Sequence, residues 1–195
     1  MRMMKMLVLG AATAAQAVPK VGEAAPAFSA TDSNGKTVQL SDYRGKFVVL
    51  EWSNAECPFV KKHYSGNMQS LQKEETSKGV VWLTVISSAP GKQGHVDGKQ
   101  ANALTKERGA APTAVLLDPS GKIGHAYEAK TTPHMYVVDP KGTLVYMGGI
   151  DSIASADADD IPKAKPYVKL ALAEAQAGKP VTDAVTKPYG CGIKY

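Results

Sequence analysis

Cys57 and Cys191 are the chain's two cysteines, and Cys57 stands where a strand pattern gives way to a helical one. The run Phe47-Val-Val-Leu-Glu-Trp52 is mostly apolar, and Cys57-Pro-Phe-Val60 opens a helical stretch. A thiol at a helix N-terminus meets unpaired backbone N–H groups, which favour the thiolate. The thiolate is the nucleophile, so this placement suits attack on a disulfide sulfur or a peroxide oxygen. The competing reading is that two cysteines in an exported protein form a purely structural disulfide. Glu51, six residues before Cys57, interrupts the apolar run. Buried there, its carboxyl would have a raised pKa suited to moving protons. At an outward-facing strand end it would be an ordinary solvated carboxylate.

The elements that must position these groups follow from periodicity. Two short strands, 27–31 and 36–40, flank the turn signal Asp32-Ser-Asn-Gly35. Residues 47–52 and 80–86 read as strands buried on both faces, with 113–117 as a third core strand. Residues 57–77 predict a helix, with Val60, Tyr64, Met68 and Leu71 as its apolar stripe and Gly66 as a weak point or kink. A polar loop is expected over 87–98, a second helix over 99–108, a turn over 118–121, and a hairpin of 134–138 with 143–147. Residues 153–165 read as a loop. A last helix begins at Pro166 and ends at Gly178. Strands alternating with helices and ending in a hairpin argue for one three-layer α/β sheet.

The first 17 residues carry Arg2 and Lys5, then a short apolar stretch, then Ala15-Gln-Ala17. That is the pattern of a cleaved secretory signal peptide, too short to span a membrane. The domain expected after it covers 18–195. Export, to the bacterial periplasm in our reading, places both cysteines in an oxidising compartment. Cleavage would leave 21 basic against 18 acidic residues, a net charge of +3 against +5 for the whole chain. The basic residues are scattered, so composition gives nucleic-acid binding no support. The four histidines, His63, His95, His125 and His134, show no ligand spacing with one another or with a cysteine. No metal and no cofactor is expected.

Three stretches resemble the alkyl hydroperoxide reductase/thiol-specific antioxidant superfamily of redoxins, and its peroxiredoxin-like branch in particular. These are Asn34-Gly-Lys36 with Leu40-Ser-Asp-Tyr-Arg-Gly-Lys46-Phe-Val-Val-Leu50, Thr132-Pro-His-Met-Tyr-Val-Val-Asp-Pro-Lys-Gly142, and the ending Lys187-Pro-Tyr-Gly-Cys-Gly-Ile-Lys-Tyr195. The resemblance implies a thioredoxin-like three-layer α/β/α sandwich with a central mixed sheet. It implies that Cys57 is the nucleophile and that Glu51 is a buried proton acceptor. Pro133 would be a cis-proline against the thiol, and Thr132 would present its backbone to bound thiol substrates. Asn54 could bond the thiol or cap the helix. Trp52 is a contact-surface candidate whose simpler reading is core, and Lys61 could favour the thiolate or be merely solvated.

Two departures narrow the expected activity. The position three residues before Cys57, which carries a hydroxyl in peroxiredoxins, is Asn54, and no proline precedes Cys57 in this loop. The third position after Cys57, a resolving cysteine in thioredoxins, is Val60. The resulting expectation is an exported thiol oxidoreductase acting on a protein or small-molecule disulfide, or on a hydroperoxide. Cys191 is the candidate resolving thiol and an external thiol the reductant. Hydroperoxide reduction proper, and a non-catalytic binding module with a structural Cys57–Cys191 staple, are the alternatives.

Overall fold

The computed structural model describes residues 18–195; the signal-peptide expectation for residues 1–17 lies outside them. Its frame is a seven-stranded mixed sheet. In chain order the strands are β1 (Ser29–Asp32), β2 (Thr37–Gln39), β3 (Val48–Trp52), β4 (Val81–Ile86), β5 (Ala114–Leu117), β7 (His134–Val138) and β8 (Leu144–Gly148). They lie side by side as β2-β1-β5-β4-β3-β7-β8. The central β3, β4 and β5 are parallel, and β7 returns antiparallel beside β3. A second, two-stranded sheet pairs β6 (Thr131–Thr132) with β9 (Cys191–Gly192).

Side-chain alternation along β3 divides the core between the two faces of the sheet. Val48, Leu50 and Trp52 pack with Leu83, Val85, Leu116, Tyr127 and Tyr136 on one side. Val49 packs on the other, against Met68 and Leu71 from α2 (Asn67–Ser77) and Val168 and Leu172 from α5 (Tyr167–Gln176). The architecture is therefore the three-layer α/β/α sandwich that the alternating elements predict. Among the described residues no helix is long and apolar enough to cross a membrane.

Four local expectations need correction. The stretch 57–77 is two helices, α1 (Pro58–His63) and α2, because Gly66 at φ +139° takes a conformation that L side chains rarely adopt and starts α2 afresh. The turn at 118–121 runs into a short helix, α4 (Lys122–Ala126), missed in the sequence. Buried Asp118 seeds it by accepting the Ile123 and Gly124 N–H groups at 3.1 and 2.9 Å. The loop 153–165 contains a 3-10 helix, Ala158–Lys163, started by the Asp157 side chain, which accepts the Asp159 N–H at 2.9 Å. Pro166 is the residue just before α5 rather than its first. The helix α3 (Gly98–Glu107) forms as expected, closed at its start by a reciprocal Asp97–Gln100 capping box.

Candidate active site

Cys57 is the cap residue of α1, with Pro58 at the first helical position. Its placement begins with the loop before it. The Cys57 N–H donates to the Asn54 carbonyl at 3.1 Å, while Asn54 Oδ1 accepts the Glu56 N–H at 2.9 Å. Asn54 therefore shapes the turn into the helix. Its amide reaches the Gln93 carbonyl at 3.4 Å, so its side chain pins the loop, and α1 receives no side-chain cap from it. Glu56 completes the clasp by accepting the Gly94 N–H at 3.1 Å.

The Cys57 sulfur is wholly buried and donates to the Thr132 carbonyl at 3.1 Å. The Thr132-Pro133 peptide bond is cis, as the resemblance implies. Cys191 arrives at the same place from the far end of the chain. Its backbone pairs antiparallel with Thr132, and Gly192 with Thr131. Both cysteines are free thiols. Burial pushes the Cys57 thiol up, but hydrogen bonds from the Cys191 side chain, the Val60 backbone, the Thr132 side chain and the Cys191 backbone outweigh it, and the thiol lies below its ordinary value. Cys191 moves the other way, to about 11, through burial first and then its hydrogen bond to Cys57 and that residue's charge. Lys61 is exposed, the solvated outcome.

Glu51 is 0 % exposed, which removes the outward-facing alternative. Alternation along β3 turns it toward α2, and Oε1 accepts the Tyr64 hydroxyl at 2.8 Å. Oε2 accepts Trp82 Nε1 at 2.8 Å, Gln72 Nε2 at 3.1 Å and the Thr84 hydroxyl at 3.2 Å. These four donors are neutral, so desolvation prevails and the carboxyl lies above its usual range. None of these bonds runs to a sulfur. A small cavity of about 30 Å³, lined by Tyr64, Thr84 and Arg108 among others, borders two of the four donors. That is room for a water or two.

Trp52 needs a correction. It is fully buried, donates to the Ser87 hydroxyl at 3.0 Å, and packs against Tyr127 and Tyr136 at ring-centroid distances of 5.4 and 5.1 Å. The alternation that turns Glu51 toward α2 turns Trp52 into the opposite layer, where it is core and not contact surface.

Sequence reasoning missed a cluster beside the two cysteines. The Tyr189 hydroxyl donates to Asp151 Oδ1 at 2.5 Å and accepts from His63 Nε2 at 3.0 Å, and Asn67 donates to His63 Nδ1 at 2.9 Å. This order assigns the proton of neutral His63 to Nε2. Burial holds His63 down to about 4. Buried Lys62 donates to the Ile153 carbonyl at 3.0 Å, with Asp151 Oδ2 at 3.7 Å. Phe59, two residues after Cys57, meets the Tyr189 ring edge-on at 5.8 Å. The available signal was spacing, because His63 follows Val60 by three residues on the face that the apolar stripe marks as buried.

Comparison with known proteins bears on the chain as a whole. The sequence model of the AhpC/TSA family matches residues 21–147. The thiol-disulfide oxidoreductase ResA of Bacillus subtilis is 28% identical over 124 residues, a match that takes in 64% of this chain and 64% of that relative, so just under two thirds of its length is spanned. A conserved protein of Geobacillus kaustophilus has a crystal structure that superposes with a TM-score of 0.80 at 27% identity, over 90% of this chain and 92% of that one. A hypothetical protein of Sinorhizobium meliloti 1021 superposes with a TM-score of 0.76 at 21% identity, over 90% and 94% of the two chains, and shares the fold. Because the family model spans more than half of the chain, the chain belongs to the AhpC/TSA family.

Proposed function

We propose that the protein is a thiol–disulfide oxidoreductase in which Cys57 makes the first attack and Cys191 the second. The observation that carries this reading is the pairing of Cys191 with Thr132, the residue whose carbonyl receives the Cys57 thiol proton. The Cys57 thiolate attacks one sulfur of a substrate disulfide, forming a mixed disulfide and releasing one substrate thiolate. Cys191 then gives up its proton and attacks the Cys57 sulfur. The Cys57–Cys191 bond forms, the second substrate thiolate leaves, and two electrons have passed from protein to substrate. An external dithiol restores the pair.

The electrostatics support this order. Two of the influences that raise Cys191 are its hydrogen bond to Cys57 and the Cys57 charge. Both vanish once Cys57 is tied up in a mixed disulfide, so Cys191 ionises more readily when it is needed. Glu51 takes up and returns the protons, through water, as a buried carboxyl with a raised pKa can. The signal pattern of residues 1–17 supports a working place in the periplasm, where the external reductant must also reach.

The test is to oxidise the reduced protein with a limiting disulfide and map the product by peptide mass. A Cys57–Cys191 link is expected, with Cys191→Ser stalling at the mixed disulfide. An oxidised protein that never carries the link sinks the proposal. Family membership favours a second reading, hydroperoxide reduction. There Cys57 becomes a sulfenic acid as the O–O bond breaks, and Cys191 condenses with it, releasing water. Rapid trapping of that sulfenic acid at stoichiometric hydroperoxide would move the assignment.

A further inference from the structure

The better nucleophile of the pair is the one that solvent does not touch. Cys57 is 0 % exposed, while Cys191, whose thiol is raised, is partly open. Any reaction at Cys57 therefore requires something to move, and the segment lying against it is the C-terminal one. With both thiols free, that segment is held by non-covalent contacts. Its strand pairing is only two residues long, far below what is stable on its own.

Two tyrosines bracket this short ladder. Tyr189 is anchored by Asp151, His63 and Phe59. Beyond Cys191, the Ile193 N–H donates to the Lys130 carbonyl at 3.2 Å, and the Lys194 carbonyl accepts the Ala89 N–H at 2.8 Å. Tyr195 ends the chain by stacking on His125 at 4.0 Å between centroids and donating to the Ala129 carbonyl at 2.8 Å. Gly121 and Gly124 leave its ring the room it occupies, since a Cβ at either would meet it. Gly190 does the same for the close passage over Thr132.

The pairing partner matters most. Thr131–Thr132 is a strand edge that pairs with β9, and an unpaired strand edge is a template for another extended chain. Cys191 occupies, in register with Thr132, the position from which an incoming cysteine would meet Cys57.

We propose that residues 187–195 form a displaceable strap that competes with an extended, disulfide-bearing polypeptide for the Thr131–Thr132 edge. The closed strap shuts polypeptides out of Cys57. Its return delivers Cys191 to the mixed disulfide while stripping the spent substrate from the edge. This rests on the oxidoreductase reading above and adds its substrate class and its gate.

The experiment uses Cys191→Ser protein, which cannot resolve, with and without Tyr195→Ala, and with Tyr195→Phe as a milder loosening that keeps the ring. Three probes are compared by stopped-flow release of thiopyridone. They are 2,2′-dithiodipyridine, a cysteine decapeptide activated as its thiopyridyl disulfide, and the same peptide N-methylated beside its cysteine so that it cannot pair with a strand. Loosening raises the population of the open state, so Tyr195→Ala should speed the plain peptide about tenfold beyond its effect on dithiodipyridine. N-methylation should abolish that excess, and Tyr195→Phe should fall between. Reaction with dithiodipyridine but no excess for the plain peptide overturns the strap and leaves the oxidoreductase reading standing. An equal excess for the N-methylated peptide shows a simple lid and also overturns it. A folded protein whose Cys57 reacts with no disulfide overturns both.

Discussion

Cys191 and Thr132, 59 residues apart in the chain, face each other as an antiparallel pair, and the Thr132 carbonyl is the acceptor of the Cys57 thiol proton at 3.1 Å. The Cys191 side chain and backbone both contribute to lowering the Cys57 thiol. Cys191→Ala removes the side-chain part of that support. The Cys57 thiol should then titrate at higher pH than in the parent protein, read from the pH dependence of its alkylation rate. A thiol pKa that stays put would show that the helix end and the backbone donors suffice.

Glu51→Gln should stabilise the protein at neutral pH and slow it. Burial raises the Glu51 carboxyl, so the folded state holds a proton that the unfolded chain has lost above its ordinary carboxylate pKa. Parent stability therefore falls as pH rises from the ordinary carboxylate range through the raised folded value. Glutamine carries no such charge. A gain of about 1–3 kcal/mol at pH 7, as for relieving a poorly compensated buried group, should shrink to nothing in acid. Denaturant unfolding at several pH values reads the gain, and turnover of a model disulfide reads the loss.

Acid should act in the opposite sense through two histidines. Burial holds His63 down to about 4 and His134 to about 3. The unfolded chain therefore takes up protons that the folded protein refuses, and stability falls as pH drops from about 6.5 toward 4. Each histidine contributes about 1.4 kcal/mol per pH unit while the pH lies between its folded and unfolded values. His63→Gln should flatten the melting-temperature profile over that window. An unchanged slope would place the acid sensitivity elsewhere.

Trp52→Phe separates core from contact. The change leaves the Ser87 hydroxyl without its indole donor and empties space between Tyr127 and Tyr136. A loss of about 1–3 kcal/mol in unfolding free energy is expected. The rate of Cys57 with 2,2′-dithiodipyridine should remain that of the parent. A selective loss of reactivity at unchanged stability would return Trp52 to the substrate surface.

Much of the frame was legible residue by residue. Continuous β-branched and apolar runs placed β3, β4 and β7 near their observed ends. Gly66 marked the break that the apolar stripe alone conceals, since a stripe at helical spacing continues across a kink. The element α4 escaped because its start is signalled by Asp118, a turn residue whose carboxylate turns back onto N–H groups five and six positions later. Nothing in local periodicity distinguishes that from an ordinary Asp-Pro turn.

By itself, the sequence determined a reactive-looking thiol at a strand–helix junction, a carboxyl interrupting an apolar strand, and the alternation of elements that makes a layered α/β sheet. These are properties of neighbouring residues, and steric preference and side-chain periodicity write them locally. Only the tertiary structure decided what those groups meet. The four donors around Glu51 come from Tyr64 at the end of α1, Gln72 on α2, and Trp82 and Thr84 on β4. The company of Cys57 comes from a two-residue strand at the chain's end. A strand that short carries no period of its own. Its place is set by the tyrosine anchors on either side, whose partners His63, Asp151, His125 and Ala129 are brought together only when the layers pack.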